Sequence, residues 1–206
     1  MQTPRLGANR VNDYIDSEFE KSRKLVDAIA GDAALRRQVL DVVTRSVAAL
    51  RRGNKLLFAG NGGSAADAQH WAAELVSRFH HDRPGLPGIA LTTDTSALTA
   101  IGNDYGFERV FARQIEALGR EGDLLFAIST SGNSKNILLA IDTARAAGID
   151  VIGFTGHAGG AMVERCTVCL QMPSDETPKI QEGHELLGHL ICGMIEREMF
   201  PSAAQP

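Results

Sequence analysis

A chain of 206 residues with 44% apolar content can bury one sizeable core without disulfide staples. Its formal charge of −4 argues against broad binding to nucleic acid or a membrane surface, and no run approaches the ~18 apolar residues of a membrane span. The odd set of cysteines (Cys166, Cys169, Cys192) and a Met1–Arg10 stretch without the apolar region of a secretory signal fit a reducing, cytoplasmic compartment.

Val11 to Ala30 has helical spacing, with Val11, Tyr14, Ile15, Phe19, Leu25, Val26 and Ile29 apolar. Asp32 is placed to cap a second helix that runs to about Arg52, and Gly53 ends it. No Pro/Gly/Ser-rich linker follows, so residues 1–53 read as a helical lead-in to a single domain of residues 1–206.

From residue 54 to 200 the pattern is α/β. Candidate strands are Lys55–Ala59, Gly88–Leu91, Asp123–Ser129, Asp150–Phe154 and Val168–Met172, mostly short and near-continuously apolar, as buried parallel strands are. Helical stretches separate them: Ala65–Phe79, Ser96–Ile101 with Phe107–Leu118, Lys135–Ala147 and Gly159–Arg165. A helix from about Thr177 to Phe200 closes the chain, with Pro178 in its first turn. The alternation predicts a doubly wound, five-stranded parallel sheet, whose ligands sit beyond the carboxyl ends of the strands.

Two of those strand ends are rich in small polar residues. Gly60-Asn61-Gly62-Gly63-Ser64-Ala65 formally fits the dinucleotide fingerprint, but Asp94 lies too far on to serve as its acidic partner. The turn reads instead as a wall facing a sugar phosphate, the bland alternative being a tight turn with no ligand. Ser129-Thr130-Ser131-Gly132-Asn133-Ser134 places four hydroxyls and a glycine between a strand and a helix, which suits a phosphate cradle. An ordinary helix cap needs only one of those hydroxyls. The Gly-Lys-Ser/Thr of a nucleoside-triphosphate loop is absent.

His70 and Glu74 stand four residues apart on one helix face, a spacing for two ligands of one metal ion, an acid/base pair or a plain surface pair. On the last helix Gln181, Glu182, His184, Glu185 and His189 recur within nine residues. Gln181 and His189 are offset by about 80°, so they can face one cleft, yet spacing alone does not choose between His184 and His189. His80 and His81 precede a turn and read as solvated, and His157 has no evident partner. Cys166-Thr167-Val168-Cys169 has no second CxxC and reads as buried thiols.

Ala59 through His70 resembles the first motif of the SIS-domain phosphoheptose isomerases. Ser129–Ser134 resembles their phosphate loop, and Thr177-Pro178-Lys179-Ile180-Gln181-Glu182-Gly183-His184 their C-terminal helix motif. Leu91–Asp94 and Ala100–Gly106 are similar too, so the resemblance runs from about residue 10 to 200. It implies conversion of sedoheptulose 7-phosphate to D-glycero-D-manno-heptose 7-phosphate, toward the ADP-heptose of lipopolysaccharide core. It also implies a cytoplasmic homotetramer with one zinc ion per active site.

Carried over by motif position, the metal ligands would be His70, Glu74, Gln181 and His189, and this resemblance selects His189 over His184. Substrate contacts would come from Asn61, Gly62, Gly63, Ser64, Asp104, Ser129, Thr130, Ser131, Ser134 and Gln181. Glu74 and His189 would carry the acid/base work of an enediol route. Some family members have Asp where this chain has Pro178, so a contact from that position is not expected here. The alternative is the related DnaA initiator-associating protein, a binding module of replication control. It lacks the Glu of the His-x-x-x-Glu pair and the second motif His, which here are Glu74 and His189.

Overall fold

The computed structural model of the protein describes residues 8–201; residues 1–7, part of the Met1–Arg10 stretch, and 202–206 lie outside them. Two helices lead in, α1 (Ala8–Gly31) and α2 (Ala33–Arg51). Asp32 separates them, its carboxylate accepting from the backbone N–H groups of Ala34 and Leu35 at 2.8 and 3.0 Å, as an N-cap does.

The core alternates: β1 (Leu56–Gly60), α3 (Gly63–Val76), β2 (Gly88–Ala90), α4 (Thr95–Tyr105), α5 (Ala112–Leu118), β3 (Leu124–Ile128), α6 (Lys135–Ala146), β4 (Asp150–Thr155), β5 (Val168–Gln171) and α7 (Thr177–Met199). The sheet is five-stranded and all parallel, in the order β2-β1-β3-β4-β5. Two stretches expected as helix are tighter. Phe107–Leu118 divides into a 3₁₀ turn at Phe107–Arg109 and α5, because the chain bends at Val110 and Phe111 to bury both side chains. The short Gly160–Arg165 segment is also 3₁₀.

Alternate side chains of the strands serve opposite faces. Leu56, Phe58, Phe126, Ile152 and Phe154 point into a core shared with α2, α3 and α7. Leu57, Ala59, Leu125, Ala127 and Val151 point into a second core with α5 and α6. Thus α3, leaving β1, and α6, leaving the adjacent β3, cover opposite faces. The loops after β1 and β3 diverge there, opening the crevice at the switch point of a doubly wound sheet.

Candidate active site

The crevice is a cavity of about 280 Å³ lined by Asn61, Gly62, Gly63, Ser64, Ile128, Ser129, Thr130, Ser134, Thr177 and Gln181. Both polar strand ends therefore meet at one place, with the start of α7 as a third wall. Gly62 turns the chain with φ +56°, a conformation side chains disfavour. A Cβ on Gly63 would overlap the end of the Gln181 side chain, which would have to shift out of its place in the cavity wall.

The two loops are tied across the switch point by a residue that spacing did not reveal. Asn61 and Asn136 exchange both side-chain amide hydrogen bonds, at 2.9 and 2.8 Å. Asn136 is buried at the start of α6 and has no motif of its own; only its partner 75 residues away marks it.

The hydroxyl loop is free of capping duty. Ser134 occupies the N-cap position of α6 but makes no side-chain cap bond; its Oγ lies 3.0 Å from Ser129 Oγ. Ser131 is exposed, and its Oγ accepts from the Asn133 N–H at 3.2 Å. The first residues of α3, the N-cap of α6 and the first residue of α7 all line the cavity. Three positive helix ends and several hydroxyls, with no cationic side chain in the lining, give the cavity a chemistry that suits an anion. Asp104 stands elsewhere: it is exposed at the end of α4, accepts from Asn103 at 2.8 Å, and does not line this cavity.

Farther along α3 and α7 a second polar group assembles. His70 Nε2 lies 3.1 Å from Glu74 Oε1 and 3.4 Å from His189 Nε2. Its Nδ1 lies 2.7 Å from Glu185 Oε1, which also sits 3.0 Å from His189 Nε2. His70, Glu185 and His189 offer ligand atoms all within 4.8 Å of one another. Glu185, unlike His70, Glu74 and His189, carries no role in the motif pattern. Gln181 lies on the cavity side, two helical turns (~12 Å) from His189 along α7.

Asp67, one turn before His70, has a buried Oδ2 without a hydrogen-bond partner among the described residues. Burial, and secondarily the Glu185 charge, push its carboxyl up to about 6 against the opposing pull of His70. Among the described residues no Lys or Arg side chain pairs with Asp67, Glu74 or Glu185. Carboxylates facing imidazole nitrogens without cationic partners form a donor set that suits a divalent cation.

His184 belongs to the core instead. It is fully buried, edge-on to the Phe154 ring at 5.7 Å, with Nε2 3.2 Å from the Thr155 carbonyl oxygen. Burial lowers its pKa to about 4, the contact with Thr155 only partly opposing this. The folded state therefore holds it neutral, and the stability this contributes is full above pH 6.5 and is lost as pH falls toward 4. His184→Leu should flatten that acid limb, which at most spans roughly 3 kcal/mol, in chemical denaturation between pH 7 and 4.

The other histidines and the thiols are placed outside both groups. His80 and His81 sit in the α3–β2 connection, where their backbone N–H groups bind Glu196 Oε2 at 2.7 and 3.2 Å. His157 is exposed, its N–H bonded to the Ser174 carbonyl. Cys169 and Cys192 are buried free thiols, and Cys166 is half-buried.

A family model described as the SIS domain matches residues 19–156. The phosphoheptose isomerase of Aneurinibacillus thermoaerophilus is 53% identical over 190 residues, covering 92% of this chain and 96% of that protein. The solved phosphoheptose isomerase of Francisella tularensis aligns with a TM-score of 0.87 at 40% identity, over 91% of this chain and 98% of that one. That of Neisseria gonorrhoeae gives a TM-score of 0.84 at 41% identity, over 90% and 98%.

Proposed function

Because the chain belongs to the SIS-domain family and, within it, to the phosphoheptose isomerases, we propose that its cavity and the adjoining His70–His189 group together form one active site for sedoheptulose 7-phosphate. The chain is a sugar-phosphate isomerase, interconverting this ketose and D-glycero-D-manno-heptose 7-phosphate on the way to ADP-heptose and lipopolysaccharide core. The observation that carries the site assignment is that the first turns of α3 and α7 wall the cavity while the His/Glu group lies farther along the same two helices. An extended seven-carbon chain anchored at Ser129–Ser134 by its phosphate has its C1–C2 end directed along α3 and α7, toward Glu74 and His189.

Ser129, Thr130 and Ser134, which line the cavity, hold the phosphate with the three helix N-termini; Ser131, carried from the motif, is exposed and outside the lining and would join them from the same loop. Gly62, Gly63, Ser64 and Gln181 orient the hydroxylated chain, and Asn61 keeps the two loops at a fixed spacing through Asn136. Asp104, carried from the motif, would contact the sugar. Glu74 moves the proton between C1 and C2, and His189 moves the one between the two oxygens. His70, Glu74, Gln181 and His189 would hold a zinc ion, which when bound supplies Lewis-acid polarisation of the carbonyl. The carboxylates that face His70 and His189, with no Lys or Arg partner among the described residues, support that ligand chemistry.

We assign the enzyme to the cytoplasm as a homotetramer. No described helix is long and apolar enough to cross a membrane. Tyr14, Ile15, Phe19 and Val26 on α1, with Leu186 and Leu190 on α7, are apolar yet exposed in the protomer, which supports burial against other copies. The DnaA-associating alternative finds no support in the relatives reported above.

The direct test is incubation with sedoheptulose 7-phosphate, with and without a chelator; no heptose product under any metal condition overturns the assignment. Ser134→Ala removes a hydroxyl from the cradle without touching the core. It should weaken binding of the phosphorylated sugar by about 1.5–3 kcal/mol, measured by calorimetry, and unchanged affinity would remove Ser134 from the phosphate site.

A further inference from the structure

The end of β4 and the connection that follows it read Thr155-Gly156-His157-Ala158-Gly159-Gly160, a stretch that the site described above does not use. It lies against the hydroxyl loop. The cavity lining takes in Ser129, Thr130 and Ser134 but no residue of 156–162, so the connection backs the loop from outside the cavity.

Three successive carbonyls of the loop meet this connection. The Thr130 oxygen accepts from the Gly156 N–H at 3.0 Å, and the Gly132 oxygen accepts from the Met162 N–H at 3.1 Å. Between them, a Cβ on Gly160 would overlap the Ser131 oxygen, and Gly160 itself turns with φ +65°. The connection is in turn held from behind. Gln171 on β5 donates to the His157 carbonyl at 3.1 Å, the His157 N–H donates to the Ser174 carbonyl at 3.0 Å, and Met162 is fully buried in the core with α5 and α6.

One side chain closes the junction. Asn133 donates from Nδ2 to the Ser131 carbonyl at 3.0 Å and accepts at Oδ1 from the Ala161 N–H at 2.9 Å. Its own N–H donates to Ser131 Oγ at 3.2 Å. A carbonyl only accepts and a peptide N–H only donates, so these two partners fix which way the Asn133 amide faces and use both of its ends. An ionised Asp, of the same size, has no donor for the Ser131 carbonyl.

We infer that Asn133 is a positioning residue: by fastening the hydroxyl loop to the β4–β5 connection, it holds Ser129–Ser134 in the arrangement that receives phosphate. This rests on the reading of that loop as the phosphate site. Hydroxyls on a loose loop would have to be ordered at every binding event, at a cost in affinity, whereas a loop clamped beforehand avoids that cost. The clamp bonds to no residue assigned to proton transfer or to the metal, so it acts on binding rather than on the chemical step.

The test uses the full-length enzyme with Asn133→Ala, which removes both side-chain bonds, and Ala161→Pro, which deletes the donor of one of them from the opposite side. In Asn133→Ala, KM for sedoheptulose 7-phosphate and the inhibition constant of inorganic phosphate should rise together by roughly 3–10-fold, with kcat nearly unchanged. Ala161→Pro should raise both by less. In the Asn133→Ala background it should add little, because the bond it breaks is already gone. Without ligand, hydrogen–deuterium exchange of residues 156–165, read by mass spectrometry, should be faster in Asn133→Ala at an unchanged urea midpoint.

Unchanged phosphate inhibition in Asn133→Ala overturns the inference, and so does a loss confined to kcat or full additivity of the two variants. If phosphate does not inhibit wild type and Ser134→Ala leaves KM unchanged, the reading of the loop as a phosphate site fails. Exchange of residues 156–165 then decides the clamp by itself: faster exchange in Asn133→Ala retains it, and unchanged exchange overturns it as well.

Discussion

Glu74→Gln should reduce isomerisation by about 10²–10⁴-fold, the range over which a positioned acid or base acts, while leaving the fold intact. Glu74 is partly exposed, and its Oε1 lies 3.1 Å from His70 Nε2. Gln preserves its size and an acceptor oxygen but cannot take a proton from carbon. Two measurements divide the roles proposed for it. Lost turnover with zinc content retained identifies the carbon base; loss of both identifies chiefly a ligand. Turnover in D₂O should incorporate solvent deuterium at the carbon that receives the proton, as an enediol requires. Near-normal turnover by the variant would remove Glu74 from the chemistry.

The largest effect on stability should come from a buried ion pair behind the C-terminal end of α3. Arg83 and Glu196 are sealed from solvent, with side chains 1% and 0% exposed, and bond at 3.0 Å from Nε to Oε1. Burial opposes the charged form of Glu196. The backbone N–H groups of Phe79, His80 and His81, with the Arg83 guanidinium, outweigh it and hold the carboxyl below its usual range. Arg83 in turn donates to the carbonyls of Glu74, Leu75 and Ser77 at 2.8, 2.6 and 3.1 Å, closing the C-terminal end of α3.

Glu196→Gln would leave a buried guanidinium without its counter-charge. Such a loss costs about 3–5 kcal/mol, which should appear as a lowered midpoint in urea unfolding. Replacing both partners, as in Arg83→Met with Glu196→Leu, should recover much of that loss, because no isolated charge remains. If the single variant unfolds at the wild-type midpoint, the pair is structurally dispensable. Because the same guanidinium binds the Glu74 carbonyl, the single variant should also lower kcat more than it raises KM.

The readable parts of the site are those whose chemistry lies in one short segment. The turn at Gly60–Ser64 and the hydroxyls at Ser129–Ser134 each sit at the end of a continuous apolar strand, and a parallel sheet brings such ends to one edge. His70 and Glu74 were legible from a four-residue spacing alone. The unread parts are pairs between distant segments: Asn61 with Asn136, Trp71 with Glu185, Arg83 with Glu196. Each member is an ordinary helix or loop residue until its partner is known. The split of Phe107–Leu118 was missed because Val110 and Phe111 satisfy a helical period while the core they fill demands a bend.

His184 and His189 show where the boundary falls. Five residues apart on one helix, they differ by about 140° in direction, and spacing alone does not say which direction is inward. Sequence by itself determined the strands, the two polar strand ends, the paired His and Glu, and, through the motifs they form, the family. The packing of α7 against α3 and the sheet decided the rest. It turned His184 against Phe154 and Thr155, where burial keeps it neutral, and set His189 beside His70 and Glu185. Local spacing records which side chains share a helix face, but the angle at which that face meets its neighbours is set by contacts that only the folded chain makes.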